Sequence, residues 1–393
     1  MFSRKVLLII AFTSYIFYAV LATEIGPVLP EIRIELNLSQ AIIGIIAGLQ
    51  SLAGILAVLG GFLSDIFGRT RFISISLAMM GVGAIFISTS PTALTIGLSF
   101  FIMGTGFSFF EASVNAYISN LFSEKRGMSM NILHIGWSVG STAGPLVAAI
   151  MILTYGSWRL GYLLIVPLIV IFSIVFGVLI PKTSDTLSMK EKEELDQKYS
   201  KKNIMISSLP IILASFLLMA SKLGMNNWLP YILRDQGGTI IESSLTISIF
   251  WMLIGIGRII WAPFVDRIGF WKTITLNSIG ALILFIFAAL PIPLYFRMIL
   301  YSIAGLLMGP LYPTLLACGT KLYPERSGTL VGAIYASGML GTVFSTIIIG
   351  LIIERLGTTI AQIIFPISIG FITIISYLSI RYDIGKVSRT STG

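Results

Sequence analysis

The sequence predicts an all-α integral membrane protein, with twelve transmembrane helices in two pseudo-symmetric six-helix bundles. Three observations carry this reading. The 393 residues are 56% hydrophobic and only 11% charged, with a mean hydropathy of +0.95, whereas soluble domains carry about 25% charged residues. Twelve apolar stretches approach or exceed the about 20 residues that span roughly 30 Å of hydrocarbon. Two loop motifs of the first half recur in the second at a single offset of 201 residues.

Taken in order, the first span, 6–29, follows Arg4-Lys5 and superficially looks like a secretory leader. Its apolar run outlasts a signal core and eleven more follow, so it is read as a retained helix. The second, 41–63, leads into Gly61-Phe-Leu-Ser-Asp65-Ile-Phe-Gly68-Arg69. The third and fourth are 72–89 and 93–121, and the fourth is followed by Phe122-Ser-Glu124-Lys-Arg-Gly127. The fifth, 128–154, carries small residues every fourth position, and the sixth is 159–180. A polar stretch with six Lys and five acidic residues then reads as a solvated linker, which divides the chain into a first bundle, 1–180, a linker, 181–206, and a second bundle with a short tail, 207–393. The second bundle contributes 207–232, 242–263, 273–290, 293–321, 328–353 and 359–380. Its eighth span leads into Ala262-Pro-Phe-Val-Asp266-Arg267-Ile-Gly269-Phe270 and its tenth into Tyr323-Pro-Glu325-Arg-Ser-Gly328, the repeats of the two earlier motifs. Duplicated halves are the build of many secondary transporters, with the solute site between them.

The charge of +9 is explained by topology. Nineteen Lys or Arg lie in the tails, the linker and the loops on its side, against five on the other side: Arg33, Arg159, Arg234, Arg297 and Arg355. This bias puts both termini in the cytoplasm of a multi-pass cell-membrane protein. The basic balance therefore implies no nucleic-acid partner. The lone Cys318 excludes an internal disulfide and is read as packing. One His and no Cys pair leave no set for a metal, and no activated nucleophile suggests an enzyme.

The stretch Gly61-x-Leu63-x-Asp65-x-x-Gly68-Arg69-x-Arg71 is similar to the signature of the major facilitator superfamily between helices two and three. The copy at Asp266-Arg267 has Ala262 in place of the first glycine. Within that superfamily the chain resembles the fucose-permease branch of sugar–proton symporters. The residues concerned are Gly104-Thr-Gly106-Phe-Ser-Phe-Phe-Glu111-Ala-Ser-Val-Asn115, Asn131-Ile-Leu-His134, Trp228-Leu-Pro230-Tyr231 and Gly257-Arg258. The resemblance implies acidic residues on helices one and four that serve solute and proton, here Glu24 and Glu111. It departs from the pattern at Phe100, where an Arg is often found. Gly136-x-x-x-Gly140-x-x-x-Gly144-Pro145 looks like the motif of drug–proton antiporters, and close helix packing through small residues explains it as well.

Read from the residues alone, Glu111 is the most telling position. About eleven residues from its helix end at 1.5 Å per residue put it roughly 16 Å deep, near the midplane, where a carboxylate costs at least about 3 kcal/mol. Burial favours the neutral form of a carboxyl group, as proton loading requires. Asn115 shares its face one turn on, and Asn131, His134 and Trp137 are expected to complete a polar cluster floored by an indole. Lys222 is expected to pair with Glu24, as an outer gate or as a purely structural ion pair, or to bind an anionic group, with Asn226 and Asn227 beside it. Tyr312, at Glu111's repeat position, is expected on the opposite wall. Arg258, placed about 8 Å from the cytoplasmic end, is expected to snorkel or pair with loop acids and to act with the gate residues Asp65, Gly68, Arg69, Arg71, Asp266 and Arg267. By the resemblance, Asp65 would cap the helix beginning near Gly328; Asp266 could do the same for the one near Gly127.

These readings converge on a proton-coupled carrier of a small polar solute, expected to be a sugar, working by alternating access. Proton-driven efflux of amphipathic compounds is the alternative. The expected partners are a small-molecule substrate and the lipid bilayer, the expected state is a monomer, and no cofactor is expected beyond the proton as coupling ion, with Na+ left open.

Overall fold

The computed structural model describes residues 2–122, 126–180, 201–322 and 327–382, with the side chains of 65, 126–129, 131, 201–207, 322 and 327–329 left aside. Among these residues no strand occurs, and twelve helices are long and apolar enough to cross a membrane. They are α1 (Arg4–Leu36), α2 (Gln40–Ser64), α3 (Arg69–Thr89), α4 (Ala93–Leu121), α5 (Ile132–Tyr155), α6 (Arg159–Leu179), α7 (Ser208–Asp235), α8 (Ile240–Ile268), α9 (Phe270–Ala289), α10 (Leu294–Lys321), α11 (Leu330–Leu356) and α12 (Thr358–Arg381).

Each expected span is present, and the shifts in its ends have physical causes. Pro30 lies inside α1, which continues to Leu36, and Pro263 lies inside α8, which continues to Ile268. A membrane helix tolerates proline because neighbouring groups satisfy the freed carbonyl. Helix α1 is interrupted only at Glu24, whose backbone stays right-handed (φ −60°, ψ −26°), so the span runs on past it. Starts are capped by local side chains: Ser39 accepts from Ile42 N at 3.3 Å, and Thr239 with Glu242 closes a reciprocal capping box at α8.

The halves repeat each other in packing as well as in sequence. Helix α1 packs on α5 as α7 packs on α11, α2 on α4 as α8 on α10, and α3 on α6 as α9 on α12. Close approach explains the small residues of α5. A Cβ on Gly140 would stand 2.2 Å from the carbonyl oxygen of Ile16, and one on its repeat mate Gly341 would stand 2.0 Å from that of Phe216. The Gly-rich run that resembles an antiporter motif thus seats α5 directly on the α1 backbone. Gly68 and Gly269, again 201 residues apart, turn the chain between spans with φ of 85° and 95°, a left-handed conformation that favours glycine.

Across the halves α2 meets α11 and α5 meets α8. The face opposite the termini is sealed. There Arg234 donates to Glu31 at 2.7 Å, Ala41 N donates to Glu354 at 2.8 Å, and Gln40 bonds Tyr231. Behind these, Trp228 Nε1 donates to the Thr346 carbonyl at 2.9 Å.

Candidate functional site

Between the halves, below that seal, lies a cavity lined by residues of both bundles. Glu111 lines it from α4, as its depth predicts. Tyr15 Oη donates to Glu111 Oε2 at 2.6 Å, and Asn115 Nδ2 donates to Oε1 at 3.0 Å from one turn further along the same face. Asn115 itself does not line the cavity; it braces the carboxyl from behind. His134 lines the cavity with Nδ1 3.3 Å from Tyr15 Oη, a hydrogen-bonded setting. Trp137 forms the floor, its ring 4.9 Å from Tyr18 and 5.9 Å from Trp251 of the other half. The Asn131 side chain lies outside the described residues.

The opposite wall is built on α7, α8 and α10. Lys222 is 5% exposed, with Nζ 5.5 Å from the Trp251 ring and 5.3 Å from that of Tyr312, which occupies the expected wall. Asn226 accepts from Trp251 Nε1 at 2.9 Å and donates to Asn227, which in turn donates to Thr346 at 3.1 Å. Both amides line the cavity, yet much of their bonding capacity is used within the wall.

Two expectations are corrected. Glu24 does not pair with Lys222: it is fully buried, lies away from the cavity lining, and neither carboxyl oxygen has a hydrogen-bond partner. Its Oε2 would lie 2.8 Å from a Cβ on Gly161, so it sits within its own half, against α6. Arg258 does not snorkel to the surface. It lines the cavity, with Nη1 3.5 Å from Ser138 Oγ. The error lay in the helix end, because α8 runs five residues past the expected 263 and each residue adds about 1.5 Å of depth.

The loop motifs are only partly visible. Gly68 makes the turn described above, Arg69 is 8% exposed and donates to the Ala116 carbonyl at 3.4 Å, and Arg71, Asp266 and Arg267 are exposed. The Asp65 side chain and the side chains around Gly127 and Gly328 lie outside the described residues, so the two helix-capping contacts are not seen.

Sequence reasoning missed Tyr15, Tyr18 and Tyr335, which line the cavity from α1 and α11. Tyr335 stands 201 residues after His134, so the repeat offset that located Tyr312 would have found it. Tyr15 and Tyr18, at i and i+3 in an apolar helix, marked a polar-tipped face.

A family model described as Major Facilitator Superfamily matches residues 7–346. The cis,cis-muconate transport protein of Acinetobacter baylyi is 25% identical over 343 residues, covering 82% of this chain and 81% of its own. The fosmidomycin resistance protein of Escherichia coli is 22% identical over 358 residues, covering 87% and 85%. Among solved structures, a bacterial homolog of the human lysosomal transporter Spinster superposes with a TM-score of 0.78 at 13% identity, over 96% of this chain and 97% of that one. The transporter FucP superposes with a TM-score of 0.68 at 15% identity, over 96% and 99%. A twelve-helix duplicated fold, a signature loop and a cavity between the halves all agree with the matching model: the chain belongs to the Major Facilitator Superfamily and is a transporter, not an enzyme.

Proposed function

We propose that the protein carries a small organic solute across the cell membrane by alternating access, coupled to a proton loaded on Glu111. The single observation behind this is a carboxyl group at cavity depth, held by Tyr15 and Asn115 and open to the space between the halves. The halves, 1–180 and 207–393, would rock about this site, joined by the linker 181–206. With both termini cytoplasmic by the basic-residue bias, the sealed face is the outer one, and the form described here is the inner-facing half of the cycle. A proton moving down 100 mV supplies about 2.3 kcal/mol, roughly fiftyfold in concentration.

The expected sugar keeps the support of Glu111 and of the Trp137 ring, but the Asn226–Asn227 amides that would bind hydroxyls are largely engaged with their neighbours. Efflux is the second reading, favoured by a relative named for fosmidomycin resistance. The Gly140 and Gly144 run adds nothing to it, because those residues pack against α1.

The test is Glu111→Gln in membrane vesicles, with a solute found by thermal-stability screening of the purified protein. Proton-driven accumulation should vanish while exchange at equal concentrations persists. Accumulation at the unmodified rate would remove Glu111 from the coupling mechanism.

A further inference from the structure

Two cations face the cavity without an ion pair among the described residues. Lys222 rests between two rings and makes no hydrogen bond among the described residues. Arg258 reaches only Ser138, at the limit of hydrogen bonding, and its Nε is buried with no partner. The two line the same cavity, together with His134. The described ion pairs, Arg159 with Glu35 and Arg234 with Glu31, both lie at the sealed face. Glu111, the one carboxyl group lining the cavity, is taken by Tyr15 and Asn115 and makes no ion pair with either cation among the described residues.

Burying a charge is costly unless it is paired and hydrogen-bonded. Ring faces offset this only in part. Two like charges facing one void therefore leave an unmet electrostatic demand, and a neutral solute would leave it unmet. A carboxylate meets it: the guanidinium fork of Arg258 can bind both oxygens, and the ammonium of Lys222 adds a point charge. The surrounding surface is ring-rich, with Tyr18, Trp137 and Tyr312 offering faces beside polar groups such as Gln50 and Ser51. The ring faces suit a flat apolar body, and the polar groups beside them do not by themselves bind a charge.

We propose that the solute is an organic carboxylate with an unsaturated or aromatic body, its anionic group held between Lys222 and Arg258. This rests on the reading that the cavity is where the transported solute binds. Both cations belong to the second half and the proton-loading Glu111 to the first, so solute charge and coupling proton occupy opposite walls.

The test uses the purified full chain in detergent and matched pairs that differ in charge alone: benzoate and benzamide, nicotinate and nicotinamide, sorbate and sorbamide, with glucose and xylose as uncharged controls. At least one carboxylate should raise the thermal unfolding midpoint at a concentration where its amide does not. Lys222→Gln and Arg258→Gln should each weaken that binding at least tenfold, and Lys222→Arg should keep it within about threefold; the unliganded midpoint of each variant, read in the same scan, reports its folding. Equal stabilisation by acid and amide, a response to the sugars instead, a shift that survives both Gln variants, or no shift with any carboxylate overturns the assignment. Transport is read separately. A carboxylate that binds as described but never enters or leaves proteoliposomes refutes the carrier reading and leaves the anion site standing.

Discussion

Gly26→Ala should open the sealed face. A Cβ at that position would stand 2.1 Å from the Asn226 carbonyl oxygen and 3.1 Å from Pro230 Cγ, where ordinary contact begins at 3.4 Å. The first contact is with backbone of the other half, so α1 and α7 must separate by roughly 1.3 Å (3.4 less 2.1) or the Cβ cannot fit. Overpacking of this kind costs about 1–3 kcal/mol. The contact exists only while this face is closed, so the cost falls on one conformer, and the ratio of open to closed should rise about 5- to 150-fold. The assay is side-specific labelling. In a Cys318→Ser background with a cysteine at the cavity position Ser51, a membrane-impermeant maleimide is applied from the face opposite the termini. Gly81→Ala is the control, because its added Cβ would meet only ordinary contacts at 3.6 and 3.9 Å within one half. Labelling no faster in Gly26→Ala than in Gly81→Ala would refute the closed-face geometry argued from α1 and α7.

Three further outcomes are expected. The Arg234–Glu31 bridge is about a fifth exposed on each side, so breaking it by Arg234→Ala should change transport rates less than about fivefold, and the exchanged pair Arg234→Glu with Glu31→Arg should restore them; a loss beyond tenfold would make it more than a latch. Gly140→Leu should lower the unfolding midpoint in detergent by the equivalent of 1 kcal/mol or more, since even its first carbon collides with the α1 backbone; an unchanged midpoint would remove that helix contact from the fold's support. Glu24→Gln should leave proton-driven accumulation at half its rate or better, because Glu24 lies away from the cavity, and should not lower the midpoint, because its oxygens hold no partner to lose; abolished accumulation would return Glu24 to the coupling path.

The fold was legible because the bilayer makes helix length and apolarity nearly sufficient signals, and because duplication prints the same loop twice. The site was legible in part. Glu111, His134 and Trp137 follow from depth and face periodicity, which survive small errors in helix ends, and Tyr312 follows from the repeat offset. Arg258 and Glu24 do not. A five-residue error at Pro263 moved Arg258 from cavity to surface, and Glu24 was placed by the resemblance, which does not say which side of α1 its carboxyl takes. The pairing of Asn226 with Trp251, and of Tyr15 with Glu111, depends on rotamers and inter-helix distances that no single-helix pattern contains.

The edge-on meeting of Trp137 and Trp251, ring centres 5.9 Å apart and tilted by 72°, joins one indole from each half. They are two of only six tryptophans in the chain. The rocking proposed above would separate them or change their tilt, and a solute in the vestibule would meet the first, which lines the cavity. The protein thus carries an intrinsic optical probe: its ultraviolet emission should follow the carrier cycle in real time, with no dye attached and no residue replaced.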